Sequence, residues 1–311
     1  MVDGHDRTAP VVTIAGDTMG TRWRVLLACP VGKDARAVER AIVARLDGLV
    51  AEMSHWADDS LLSRFNRAAA GTWTALPPDF ATVMARALAL AEASGGAFDP
   101  AIGALVDLWG FGPPGPRGAP SDRAVARARA RSGWRRLAWD APGARLRQPG
   151  GLALDLSGIA KGHAVDAIAG LLRDLGLRHA LVEIGGELAG RGMRPDGEPW
   201  WVDLENPPGT ALPPLRVALH GIAVATSGSY IRGDHNIDPR TGRPPANDTI
   251  SVSVIAADAA TADGWASAFA VLGGEEAVAL ADRLGLAARL LCRGPSGVEE
   301  HLSAALRGML D

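Results

Sequence analysis

The sequence predicts an α+β fold with mixed or antiparallel sheets flanked by helices. Two observations favour this fold class. The predicted strands come in neighbouring groups that can pair as hairpins, and the strict alternation of strand and helix that builds a parallel sheet is missing. The chain also has 311 residues, of which 47% are hydrophobic, and this is enough for one large core or for two cores in close contact.

The first half of the chain is predicted to begin with two strands and to continue with helices. Apolar and polar residues alternate around Trp23, which indicates strands at 11–15 and 22–29. From Asp34 to Met53 apolar residues recur at the spacing of one buried helix face. Further helices are predicted at 79–94, 100–109 and 121–131.

The second half of the chain is predicted to contain most of the strands. We expect short strands at 135–139, 144–148 and 152–156, followed by a helix after Gly158. Later strands are predicted near 179–184, 200–205, 215–219, 222–226, 250–256 and 288–293. The remaining helices are predicted at 261–272, 275–284 and 299–309.

The charge balance argues against a nucleic-acid partner. The net charge is −3, the isoelectric point is about 6.2 and no basic run is present. No apolar stretch reaches the roughly 18 residues of a membrane span, and Met1 to Pro10 has no apolar signal core. As given, the chain is predicted to be cytoplasmic, and an exported protein whose leader was removed is the alternative.

The segment Asp155–Gly162 is the strongest local signal of a binding site. An apolar, strand-like run ends in the turn Ser157-Gly158, and an amphipathic helix follows. The start of a helix presents unpaired backbone N–H groups and the positive end of the helix dipole, which together favour anions such as phosphates. Asp155 and Lys161 flank this turn with opposite charges. The segment therefore predicts a metal–phosphate site.

Asp263 and Ser267 are candidates for binding a metal ion. They are four residues apart, so on a helix they share one face with Cβ atoms about 6 Å apart. Oxygen ligands of this kind suit Mg²⁺ or Ca²⁺ rather than zinc. The alternative is a plain helix start, with Thr261 as the N-cap and Asp263 favouring the helix dipole.

Three other residues have both a functional and a structural interpretation. His235 precedes the turn sequence Asp238-Pro-Arg-Thr-Gly242 and suits a general base, or it is a solvated loop residue. Asp99 is a ligand contact or the N-cap of a helix that starts at Pro100. Trp56 stacks on a planar ligand or belongs to the core.

Eight short motifs follow one another along the chain. They are Thr18-Met-Gly-Thr21, Met53-Ser54 with Leu62–Asn66, Ala97-Phe-Asp99 with Trp109–Gly112, Asp155–Gly162, Glu183–Glu187, Ala225-Thr-Ser-Gly228, Ile237–Gly242 and Ala262-Asp263. Taken together and in order, they resemble the ApbE family of FAD:protein FMN transferases. The similarity runs from about residue 11 to residue 275.

The resemblance implies one ApbE-type domain over residues 11–311, or two closely packed subdomains, with FAD in a cleft and a flexible N-terminus at residues 1–10. It implies Mg²⁺-dependent transfer of the FMN phosphoryl group from FAD to a Thr or Ser of an acceptor flavoprotein, with release of AMP. It assigns the magnesium ligands to the Gly158 carbonyl, Asp263 and Ser267, and activation of the acceptor hydroxyl to His235. The implied FAD contacts are Met19, Trp56, Ala97, Phe98, Asp99, Asp155, Lys161 and Ile237.

The sequence departs from the family pattern at several positions. Ser267 stands where Thr is common, and Ala266 stands where some relatives carry a second metal-binding carboxylate. Two further activities therefore remain alternatives. One is an FAD pyrophosphatase that releases FMN and AMP, and the other is a flavin-binding or delivery protein without turnover.

Overall fold

A computed structural model of the chain describes residues 7–228, 235–295 and 297–310. Residues 1–6 of the predicted flexible N-terminus lie outside the described residues. So do residues 229–234, between the Ala225–Gly228 motif and His235. Within the described residues, no helix has both the length and the apolar character needed to cross a membrane.

The described residues form helices and strands in a mixed order. The helices are α1 (Ala35–Met53), α2 (Leu61–Arg67), α3 (Pro78–Ala93), α4 (Gly103–Trp109), α5 (Asp122–Arg131), α6 (Ala160–Asp174), α7 (Ala259–Leu272), α8 (Gly274–Leu284) and α9 (Ala304–Leu310). The strands are β1 (Val11–Thr18), β2 (Thr21–Ala28), β3 (Trp73–Ala75), β4 (Ala138–Asp140), β5 (Arg145–Arg147), β6 (Ala180–Ile184), β7 (Glu187–Arg191), β8 (Trp200–Leu204), β9 (Leu215–Leu219), β10 (Ala223–Gly228), β11 (Thr249–Ala256), β12 (Ala287–Gly294) and β13 (Gly297–Leu302).

The strands build one large sheet and two small ones. The main sheet has eight strands in the order β1-β2-β6-β7-β10-β11-β12-β13, and every neighbouring pair is antiparallel. Strands β3-β5-β4 form a second sheet, and β8 pairs with β9 in a separate hairpin. Antiparallel sheets combined with helices confirm the predicted α+β class.

The two faces of the main sheet pack against different parts of the chain. Successive side chains of a strand point to opposite faces, so Val25 and Val182 join the core beneath the helices, whereas Leu26 and Leu181 lie on the other face. Helices α1, α3, α6 and α7 cover the first face. The β8–β9 hairpin and α9 cover the second face.

The predicted strand at 152–156 is wrong, although its apolar residues are buried. Its backbone groups pair with a side chain and with the segment before α4 instead of a neighbouring strand. The Asn66 amide accepts from the Leu154 N–H and donates to the Leu154 carbonyl, and the Asp155 N–H donates to the carbonyl of Pro100. The apolar run therefore predicted burial correctly and the type of backbone structure incorrectly.

The predicted helix at 299–309 is also wrong in its first half. Residues Gly297–Leu302 form β13, which pairs along its whole length with Arg289–Gly294 of β12, and only Ala304–Leu310 are helical. Pairing with an existing strand supplies backbone hydrogen bonds that override a weak local helix preference. Strands β3 and β7 and helix α2 were not predicted.

Candidate active site

One cavity of about 970 Å³ brings most of the predicted site residues together. It is lined by the turn before α6, by α7, by the segment before α4 and by the open end of the main sheet. Ten predicted site residues line it: Ala97, Phe98, Asp99, Asp155, Gly158, Lys161, His235, Ile237, Asp263 and Ser267. Met19 and Trp56 are not among its lining residues.

The turn before α6 holds Asp155 in a fixed orientation. The Asp155 Oδ1 atom accepts from the N–H of Ser157 at 2.8 Å and from its hydroxyl at 2.6 Å. The ring of His55 approaches the same oxygen, with Nδ1 at 3.6 Å. Sequence reasoning assigned no role to His55, although it stands next to Trp56 within one of the motifs. Asp155 therefore enters the cavity as a carboxylate whose position is already set.

The two predicted metal-binding side chains of α7, those of Asp263 and Ser267, lie at the same wall of the cavity. Ser267 Oγ lies 3.5 Å from the Gly158 carbonyl oxygen, and Asp263 is buried on the same side of the helix. The Asp263 Oδ2 atom accepts from the Gly162 N–H at 2.9 Å, which joins α7 to the first turn of α6. The N-cap of α7 is Asp258, so the alternative in which Thr261 caps the helix is wrong.

The close approach of α6 and α7 depends on small residues. A Cβ atom added to Gly162 would lie 2.2 Å from the Ala259 carbonyl oxygen, and one added to Gly158 would lie 2.9 Å from Ser267 Oγ. Real Cβ atoms do not come this near to other heavy atoms, so any larger residue would push the helices apart. The two glycines therefore keep the Gly158 carbonyl beside the α7 oxygens.

Lys161 forms a buried ion pair that the sequence analysis did not foresee. Its Nζ atom lies 2.5 Å from Glu187 Oε1, and the Glu187 side chain is only 1% exposed. Glu187 opens β7 directly after Gly185 and Gly186, whose φ angles of 64° and 105° suit glycine. The Gly-Gly pair was a signal of a tight turn, and Glu187 ends the motif Glu183–Glu187, but no local pattern indicated that its side chain is buried beside Lys161.

Burial shifts the proton equilibria of these carboxyl groups. It raises the pKa of Glu187 to about 8, since the nearby Lys161 offsets only part of the burial and Asp263 adds to it. Burial likewise raises the pKa of Asp263, and Lys161 and the Gly162 N–H oppose that rise. Among the described residues, Glu187 Oε2 has no hydrogen-bond partner. The carboxyl groups of Glu187 and Asp263 thus lie beside a single ammonium group, that of Lys161, in a region that water barely reaches. This arrangement favours the binding of a second cation.

Asp99 does not cap a helix at Pro100, because α4 begins only at Gly103. Its two carboxylate oxygens accept from the backbone N–H groups of Ala101 at 2.8 Å and Trp134 at 3.1 Å. Burial raises the pKa of Asp99 to about 6. Asp99 is therefore held rigidly at the cavity wall and is mostly ionised near neutral pH.

Contacts of Ile237 and of Gly242, further along the chain, hold in place the loop that carries His235 and Ile237. Ile237 packs with Leu105 of α4 and Ala128 of α5. The Trp109 indole N–H donates to the Gly242 carbonyl at 2.9 Å, which fixes the far end of the loop. These contacts hold Ile237 and the adjoining His235 at the cavity.

Met19 and Trp56 lie near the cavity but are not among its lining residues. Met19 has a φ angle of 50° in the tight turn between β1 and β2, and the next residue but one, Thr21, lines the cavity. The Trp56 side chain is 60% exposed, with its ring centroid 5.5 Å from that of His55. A ligand held by Asp155 would have to extend outward to meet this indole.

The described residues contain no group of three or more His, Cys, Asp or Glu side chains arranged to hold a metal ion. The predicted set depends instead on one carboxylate, one hydroxyl and one backbone carbonyl. Such a set holds a hard cation well only when phosphate or water oxygens complete the coordination.

Comparison with known sequences identifies the family. The sequence model of the ApbE family matches residues 19–290. The chain belongs to the ApbE family. The FAD:protein FMN transferase of Klebsiella pneumoniae (strain 342) is 35% identical over 309 residues, which cover 95% of this chain and 88% of that protein. The FAD:protein FMN transferase of Vibrio cholerae serotype O1 is 33% identical and is matched over 100% of this chain and 96% of that protein.

Solved ApbE structures share the whole fold. The apo flavinyl transferase ApbE of Pseudomonas stutzeri superposes with a TM-score of 0.90 at 36% identity, over 96% of each chain. This agreement confirms the family resemblance that the eight motifs predicted, and it confirms the chain as a transferase.

Proposed function

We propose that this ApbE-family protein moves FMN from FAD to a hydroxyl group of an acceptor flavoprotein and releases AMP. The observation that carries the proposal is the meeting of Lys161, Asp263, Ser267 and the Gly158 carbonyl at one wall of a cavity that His235 also lines. The names of the relatives at 33–35% identity support the same reaction. We assign the whole activity to one domain over residues 11–311.

The reaction needs positive charge at the bond that breaks. The FAD pyrophosphate is dianionic, so an attacking alkoxide meets like charge. Lys161 projects from the first turn of α6 into the cavity, and its ammonium group attracts the phosphate oxygens, as does the helix end. Asp155 orients the nucleotide, while Ala97, Phe98, Asp99 and Ile237 form the wall against which it binds.

The acceptor hydroxyl supplies the nucleophile. His235 takes the proton of a Thr or Ser hydroxyl as the oxygen forms a bond to the FMN phosphorus. The bond from that phosphorus to the bridging oxygen breaks, and AMP leaves with the bridging oxygen and its electron pair. The acceptor then carries FMN through a phosphoester bond.

The residues of the wall fit a magnesium ion. The Gly158 carbonyl, Ser267 Oγ and Asp263 provide oxygen donors only, and a cation beside Lys161 would favour loss of the proton from the two buried carboxyl groups. When bound there, Mg²⁺ would lower the charge repulsion at the pyrophosphate and stabilise the departing AMP. The missing carboxylate at Ala266 leaves more of the coordination to phosphate and water oxygens.

Mass spectrometry tests the proposed reaction. The protein is incubated with FAD, Mg²⁺ and the acceptor protein that the Vibrio cholerae relative modifies, with Asp263→Asn as the matched inactive variant. We expect the acceptor to gain the mass of FMN less one water on a Thr or Ser, together with free AMP. Free FMN and AMP with an unmodified acceptor would indicate a pyrophosphatase, and uncleaved bound FAD would indicate a binding protein.

A further inference from the structure

The cavity extends beyond the part lined by the predicted FAD contacts. Ala97 and Phe98 belong to the core beneath the helices. Leu181 and Val224 line the same cavity but belong to the opposite face of the main sheet, beneath the β8–β9 hairpin. The cavity therefore passes from one face of the sheet to the other.

An opening at one end of the sheet explains this passage. Strand β10 pairs with β11 over its whole length, but it pairs with β7 only at Ala223 and Val224. The segment 226–228 has no β7 partner and lines the cavity, opposite the Gly185-Gly186 turn. Lys161 also lines the cavity, so the passage leads toward the wall where the proposed chemistry occurs.

On the hairpin side, one wall of the cavity is formed by β8 and the residues just after it. Every residue from 201 to 206 lines the cavity. Strand β8 pairs with β9 alone, and within the described residues the backbone of 201–206 has no hydrogen bond other than those to β9. A free strand edge of this kind is a template for adding an extended peptide segment.

The floor of this region is apolar and its rim carries a large aromatic side chain. Leu26, Leu181, Leu188 and Val224 form the floor, and the Trp201 side chain at the rim is 48% exposed. We call the space between β8 and these floor residues the hairpin-side crevice. Half-exposed tryptophans beside apolar pockets commonly anchor protein partners.

Charge does not dominate the crevice, because most charged side chains at its rim form pairs that neutralise each other, with Glu205 as one further acidic lining residue. Arg24 pairs with Glu183 at 2.6 Å, and Asp203 pairs with Arg216 at 2.6 Å. All four side chains are partly or largely exposed. A partner must therefore be recognised mainly through backbone hydrogen bonds and apolar contact, which suits an extended protein segment better than a nucleotide.

We propose that the hairpin-side crevice binds the acceptor protein by adding an extended acceptor segment to the free edge of β8. The proposal rests on the proposed function, since the acceptor hydroxyl must reach the same wall as FAD. FAD occupies the helix side through residues such as Asp155 and Lys161, and the acceptor enters from the opposite face of the sheet. The two substrates meet at the opening beside β10.

The first test separates acceptor binding from FAD binding. Covalent flavin fluorescence is followed against the concentration of the Vibrio cholerae acceptor protein, and FAD affinity is measured separately by flavin fluorescence. For Trp201→Ala we expect the KM for the acceptor to rise tenfold or more, with no change in the Kd of FAD. Trp73→Ala is the matched control, because Trp73 is similarly exposed at 43% but lies on β3 outside the cavity.

A second measurement needs no substitution. Hydrogen exchange of the unaltered, FAD-loaded protein is compared with and without the acceptor. We expect slower exchange of amides in 201–206 and unchanged exchange at the edge strand β3. If the unaltered protein labels the acceptor, either of two results would overturn the crevice alone. One is an unchanged acceptor KM in Trp201→Ala, and the other is unprotected amides at 201–206 in the unaltered protein. No labelling by the unaltered protein would overturn the proposed function and the crevice with it.

Discussion

The charged side chains at the two ends of the cavity differ in their exposure to water. At the helix side, Lys161, Glu187 and Asp263 form a group that we call the charged wall, in which both carboxyl groups are almost completely buried. At the hairpin-side crevice, the charged pairs lie at the exposed rim and the floor is apolar. Charge that water cannot screen acts strongly on a ligand, whereas screened charge does little. We therefore expect the charged wall to act on the reacting phosphate and the crevice to bind the acceptor protein.

The energetic contrast between these regions is large. Exposed ion pairs such as Arg24–Glu183 contribute about 0–1 kcal/mol to stability. Removing the partner of a side chain as buried as Glu187 costs more, because the buried polar or charged group that remains loses its compensation. Substitutions at the two ends of the cavity should therefore differ both in the property that they change and in the size of that change.

The largest expected effect is at Asp263. Asp263→Asn keeps an oxygen near the Gly162 N–H but removes the negative charge, so we expect Mg²⁺-dependent transfer to fall about 1000-fold. Initial rates of FMN transfer measure the effect, and Asp174→Asn, at an exposed side chain outside the cavity, is the control. A rate equal to that of the unaltered protein, in buffer freed of trace metals and then supplied with Mg²⁺, would reject the role.

The second effect is at His235. Loss of a general base commonly slows a reaction about 100-fold or more, so His235→Ala should bind FAD normally but transfer FMN about 100-fold more slowly. His220→Ala is the matched control, because His220 is an exposed histidine that contacts the Gly192 carbonyl outside the cavity. Unchanged single-turnover transfer by His235→Ala would show that another group takes the proton.

The third effect concerns stability and pH. Folding raises the pKa of Glu187 from 4.5 to about 8, so between these values the folded protein keeps a proton that the unfolded chain has lost. Stability therefore falls as pH rises through this range, by at most about 1.4 kcal/mol per pH unit from this group. With metal removed by a chelator, we expect the Tm of the unaltered protein to fall from pH 5 to pH 8.

Glu187→Gln isolates this contribution. The amide cannot lose a proton, so the Tm of this variant should fall less over the same pH range. Asp263 also has a raised pKa, and Asp79 has a pKa lowered mainly by Arg45, but both remain in the variant and largely cancel in the comparison. Parallel Tm–pH curves for the two proteins would contradict the buried, protonated state of Glu187.

The smallest expected effect is at the rim of the crevice. Arg24→Gln and Glu183→Gln should each change the free energy of unfolding by less than about 1 kcal/mol, and added salt should reduce the difference. Urea unfolding at low and high salt measures both quantities. A loss above about 2 kcal/mol would mean that this pair is as tightly coupled to the fold as Lys161–Glu187.

The helical part of the fold was largely predictable from the sequence. Helices α1 and α6 follow their apolar patterns closely, because tertiary packing uses the face that each pattern specifies. The strand predicted at 152–156 was wrong because apolar residues predict burial only. Its backbone hydrogen bonds go to partners distant in sequence, such as the Asn66 side chain and the Pro100 carbonyl. The helix predicted at 299–309 was wrong in its first half because β13 forms by pairing with the edge of β12.

The site was predicted unevenly for similar reasons. Asp263 and Ser267 share a face by local helix geometry alone, so their spacing was sufficient. Glu187 and His55 gain their importance from contacts with Lys161 and Asp155, which are far away in sequence. Local spacing contains no information about such contacts. The roles assigned to the individual site residues by resemblance stay predictions.

The position of a divalent cation beside bound FAD tests the charged wall most directly. Crystals grown with FAD and Mn²⁺ in place of Mg²⁺ would reveal the cation by anomalous scattering. We predict a peak among the Gly158 carbonyl, Asp263 and Ser267, with the FAD pyrophosphate between that peak and Lys161. A well-ordered FAD whose pyrophosphate lies away from Lys161, or a cation bound elsewhere in the cavity, would contradict the account.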